Sequence, residues 1–131
     1  MRVGAAIVTA ALLVAGLLAG CDRYASDILA VKQATSLGDS SNEELCKELA
    51  GARGHFEWLG GRSETYADNP DIVLVTCKVD RTTSAGTKRE LRLEFLHNRQ
   101  TDKVALDRVL IDGEPQNVIS GMLNLLLMQL E

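Results

Sequence analysis

Residues 71–80 read DIVLVTCKVD. Val73, Val75, Cys77 and Val79 alternate with Ile72, Leu74, Thr76 and Lys78, and this period of two predicts a β-strand. Its start is apolar in both phases, so the strand is expected to be central and covered on both faces there. Before it, Asn69-Pro70-Asp71 is a turn. Further upstream HFEWL (55–59) is a shorter strand with Phe56 and Trp58 on one face. Gly60-Gly61 bends it or opens a bulge, and RSETY (62–66) is compatible with its continuation. Downstream, TKRELRLEFLH (87–97) places Leu91, Leu93 and Phe95 on one face and Glu90, Arg92 and Glu94 on the other. NRQTD is a hairpin loop. In KVALDRVLID (103–112) Val104 and Leu106 occupy one phase and Val109 and Ile111 the other, a slip that predicts a bulge near Asp107–Arg108.

Helices flank this strand-rich middle. Ser26 and Asp27 suit a helix start, Ile28, Leu29, Val31 and Leu37 give an incomplete stripe, and Gly38 can end it. The second helix is better marked. Ser40-x-x-Glu43 and Ser41-x-x-Glu44 both read as capping boxes, Leu45, Cys46, Leu49 and Ala50 share a face, and Gly51 and Gly54 supply the exit. At the other end, Asp112-Gly113 turns the chain and Pro115 suits the first turn of a helix. QNVISGMLNLLLMQLE (116–131) is apolar nearly all round, so a last helix there must be covered on more than one side. The expected fold is α+β: an antiparallel meander of three to five strands, two helices before it and an apolar helix after it.

The chain starts MRVGAAIVTAALLVAGLLAGC. One basic residue precedes an apolar run of about fourteen residues, shorter than the roughly twenty needed to span a bilayer and right for a secretory leader. Leu18-Ala19-Gly20-Cys21 resembles the lipobox of bacterial lipoproteins. The resemblance implies that residues 1–20 are removed, that Cys21 is lipidated with two or three acyl chains (palmitate among them), and that the domain is held on a membrane in the cell envelope. Residues 21–26 then form a short tether, and 27–131 one domain facing the periplasm. Asp22 resembles the retention signal of enterobacterial inner-membrane lipoproteins, which tilts the expectation toward the inner membrane.

With Cys21 assigned to lipid, Cys46 and Cys77 remain, an even pair in an exported protein, and a disulfide is expected. Two separate periodicities support it, because Cys46 lies on the apolar face of its helix and Cys77 on the valine face of its strand. The bridge would staple helix to sheet.

Removing the leader leaves thirteen basic against eighteen acidic side chains. An acidic domain is a poor candidate for nucleic acid or for basic-patch binding to headgroups. Catalytic motifs such as G-x-S-x-G, H-E-x-x-H or a phosphate-cradling glycine loop do not occur. His97 could meet Asp102 or Asp107 across a hairpin, but a histidine at a strand end is more often locally bonded. His55 and His97 lack the companions a zinc site needs. No metal, cofactor or enzymatic activity is therefore expected. The expected role is protein binding as an assembly or accessory factor. Phe56 and Trp58, together with Met122, Leu123, Leu126 and Leu127 of the last helix, are the candidate surface. The alternative is a peptide, lipid or glycan held in a groove between sheet and last helix.

Overall fold

In the computed structural model, residues 23–117 and Ser120 are described. Helix α1 spans Ala25–Gln33 and α2 spans Asn42–Ala50. Five strands follow: β1 His55–Arg62, β2 Ile72–Thr82, β3 Lys88–Asn98, β4 Lys103–Ile111 and β5 Glu114–Gln116. They form one antiparallel sheet in the order β1-β2-β3-β4-β5, each strand pairing with its sequence neighbour. The domain is α+β, a meander with two helices laid on one face. Helix α1 touches β1, β2 and β3, and α2 touches β1 and β2.

The period-two reading of 71–80 fixes which face is covered. Val73, Val75, Cys77 and Val79 are buried, as are Leu91, Leu93 and Phe95 opposite them. Helix α1 contributes Val31, and α2 adds Cys46, Leu49 and Ala50. The slip expected in β4 is present: Glu94 pairs with Arg108 and Phe95 with Leu106, which leaves Asp107 as the extra residue. The inserted residue returns Val109 and Ile111 to the core side, where both are buried.

Helix ends follow the local chemistry, with one choice made between two. Ser41, not Ser40, caps α2, its Oγ accepting from the Glu44 N–H at 3.2 Å. The exit is Gly51 at φ +69°, a conformation that costs a β-carbon-bearing residue more than glycine. Buried Asn42 ties the helices together, its Nδ2 donating to the Val31 carbonyl at 2.9 Å and its N–H to that of Ala34 at 2.8 Å. Arg81 donates to the Leu49 carbonyl at 3.1 Å, a cation at a helix C-terminus.

Four expectations need correction. Helix α1 stops at Gln33, not Gly38, with Tyr24 at its N-cap position and no side-chain cap. β1 ends at Arg62, so RSETY does not continue the strand beyond it. Pro115 lies in β5 opposite Leu110, not in a helix; a residue without an N–H is tolerated in an edge strand. The Cys46–Cys77 disulfide is not formed here. Both residues are buried free thiols, close enough to hydrogen-bond to one another. The proposed last helix, with Met122, Leu123, Leu126 and Leu127, lies outside the described residues.

Candidate functional site

Where α1 begins, a charged cluster is built into the edge of the core. Asp27 is fully buried, and its carboxylate takes three hydrogen bonds from the β3–β4 hairpin. His97 Nδ1–H donates to Asp27 Oδ1 at 2.7 Å, Arg99 Nη2 to Oδ2 at 2.7 Å and Arg99 Nε to Oδ1 at 3.1 Å. The guanidinium thus grips the carboxylate with two parallel bonds. Arg99 Nη2 also donates to the Arg23 carbonyl at 3.2 Å. On its other side, His97 Nε2–H donates to Asp102 Oδ1 at 2.8 Å.

The hairpin is shaped to present these groups. Asn98 Oδ1 accepts from the N–H groups of Gln100 and Thr101, folding the loop back on itself. Asp102 takes a left-handed backbone, φ +59°, which aspartate tolerates better than most residues. Arg99 is tied below by its N–H donating to the Asp71 carbonyl at 2.8 Å.

Burial alone would drive the His97 imidazole toward its neutral form. Asp102 and Asp27 outweigh it and hold the pKa above the ordinary 6.5. Burial would likewise raise Asp27, but Arg99 and His97 bring it below the ordinary carboxylate value of 3.8. The two carboxylates thus favour the imidazolium form, in which both N–H groups are engaged and no lone pair remains to accept a proton. Chemically the cluster is a latch: it fastens the first turn of α1 to the far end of β3. Among the described residues, no group of three or more His, Cys, Asp or Glu could hold a metal ion.

Of the residues singled out in the sequence, His97 and Asp102 do meet, as considered above, whereas Asp107 forms no part of the cluster. Asp27 and Arg99 were missed. Asp27 reads as a helix-dipole residue, yet it lies four positions before buried Val31 and so on the same buried stripe. That spacing is the signal that could have found it.

Phe56 and Trp58 face the helices from β1. Trp58 packs on Phe95 with ring centroids 6.1 Å apart. The same two aromatics, with Ala25, Ile28 and Leu29 of α1, line an open groove of about 750 Å³ along the sheet's edge. Leu29 is 53% exposed there. The Trp58 indole nitrogen is buried and has no hydrogen-bond partner among the described residues. His55, on the opposite face at the start of β1, joins neither feature. Nearby, Tyr24 lies across Gly60, where a β-carbon would collide with the base of its side chain. The glycine lets α1 approach β1 this closely.

Comparison with protein-family models, with curated proteins and with solved structures returned no match.

Proposed function

We propose that this chain is a lipid-anchored envelope protein that works by binding another protein, not by catalysis. The anchor reading rests on the lipobox-like Leu18-Ala19-Gly20-Cys21. Its consequence for geometry is direct: Arg23 already contacts the domain through Arg99, and two residues span at most about 7 Å. A lipid on Cys21 would hold the latched end of α1 against the bilayer, on the periplasmic side, with the inner membrane favoured by Asp22.

The observation that carries the binding reading is the groove between α1 and β1. Among the described residues β1 is an edge strand that pairs with β2 alone, so its outer row of main-chain donors and acceptors is the one offered for pairing. An extended segment of a partner added to β1 would gain those hydrogen bonds and set apolar side chains against Ile28, Leu29 and Phe56. The groove suggested for a ligand, between sheet and last helix, involves residues outside the described ones.

Two structural details belong to the same reading. Cys46 and Cys77 close into a disulfide in an oxidising envelope, their contact inside the core needing little rearrangement. The apolar helix expected over 116–131 is the second, and it lies outside the described residues.

A photo-crosslinking residue at Glu57, on the groove, tests the binding reading in the intact lipidated protein. The expected result is one stoichiometric protein adduct that Leu29→Glu removes while the thermal melt stays unchanged, since Leu29 is half exposed. No adduct, or an adduct indifferent to Leu29→Glu, would contradict it.

A further inference from the structure

We infer that the cavity beneath the α1 start is a binding site for a phosphate group, of the kind a phospholipid headgroup presents. The cavity, of about 190 Å³, lies between the two residues before α1, the end of β1 and the β1–β2 loop. Three arginines from three parts of the chain line it: Arg23 before α1, Arg62 at the end of β1 and Arg99 on the β3–β4 hairpin. Among the described residues no carboxylate lines it, although acidic residues outnumber basic ones in the chain as a whole. The carboxylates that act on Arg99 are Asp27 and Asp71, and neither is part of the wall.

The remaining polar lining also supplies donors. Asn69 spends its Oδ1 on the Asp71 N–H at 3.0 Å, which leaves its amide NH₂ as the free end. Ser63 Oγ accepts from the Tyr66 N–H at 3.2 Å and keeps its own proton to give. Arg99 is fixed by Asp27 and serves as a preset wall. Arg23 and Arg62 form no ion pair with any described residue, so their guanidiniums are available as forks for a tetrahedral anion. Lone surface arginines are ordinary; three lining one concave cavity whose described lining holds no carboxylate are not.

Position selects the source. The cavity opens within two residues of Cys21, so on the anchor reading above it faces the headgroup layer. There a phosphodiester is the abundant anion. A locally cationic cleft on an acidic domain would also orient that domain: bulk charge repels an anionic surface while this one corner binds it. The anion site itself does not depend on lipidation.

The purified full chain, kept in neutral detergent, is titrated by calorimetry with short-chain phosphatidylglycerol, short-chain phosphatidylcholine and inorganic phosphate. The expected result is saturable binding of the phospholipids that weakens about tenfold or more in Arg62→Gln and in Arg23→Gln, with partial recovery in Arg62→Lys. Inorganic phosphate binding equally well, with the same arginine dependence, would support the phosphate site and overturn the headgroup as its source. Absence of binding to all three, or binding that Arg62→Gln and Arg23→Gln leave unchanged, would overturn the site. Cys21 proving unlipidated while the titration succeeds would overturn the membrane placement alone.

Discussion

Asp27→Ala is expected to destabilise the domain by about 3 kcal/mol or more, read as a lower urea midpoint at an unchanged slope. The substitution leaves a 6%-exposed His97 ring, whose protonated form Asp27 favours, without its inner partner and frees a guanidinium that had two bonds to the same carboxylate. Arg99 is 40% exposed at its side chain and can turn to water, so the larger part of the cost comes from His97. Removing both buried partners, Asp27→Leu with His97→Leu, should recover part of the loss, because no buried charge is then left unpaired. A loss below about 1 kcal/mol in Asp27→Ala would show that the cluster is not a latch.

The same cluster sets a pH window. Asp27 has its pKa lowered on folding, so its contribution is complete above the ordinary 3.8 and fades as pH falls through the folded value. His97 has its pKa raised, so its contribution is complete below 6.5 and fades as pH rises through the folded value above that. Stability from the latch should therefore plateau between these limits and decline on the alkaline side. His97→Gln should flatten the alkaline decline.

The second large effect concerns Cys46 and Cys77. If the thiols close into a disulfide, as proposed for the exported protein, oxidised and reduced forms should differ by about 3–4 kcal/mol in the chain-entropy account of a loop this long. Their measurement is the urea midpoint with and without reductant, the pairing being checked by peptide mapping under non-reducing conditions. Identical midpoints, or two alkylatable thiols in protein taken from its own envelope, would remove the staple. Reactivity as free thiols should be low in any case, because Cys77 and burial hold the Cys46 thiol well above the ordinary range.

The parts of the fold legible in the sequence are those set by strong local patterns. Alternation in 71–80 and 87–97 gave the two central strands and their buried face, and the phase slip in 103–112 gave the bulge at Asp107. Ser41 and Gly51 bounded α2. Less was legible where tertiary pairing overrides local preference. Pro115 fits a helix start and an edge strand equally well, and only the neighbouring β4 decides. Asp27 is favourable in a first helical turn whatever it faces, so nothing local reveals that a hairpin seventy residues later supplies its partners. Arg23, Arg62 and Arg99 are each unremarkable in sequence. Their convergence exists only once α1 is latched to the sheet.

The anchor is the premise on which the membrane orientation and the partner's location depend, and the intact mass of the protein extracted from its own membranes tests it most directly. The expected species starts at Cys21, carries a diacylglyceryl group on its sulfur and further acylation at its amino group, and disappears from the membrane fraction in Cys21→Ser. A protein that retains residues 1–20, or one that starts elsewhere with Cys21 unmodified, would contradict the lipid-anchored reading.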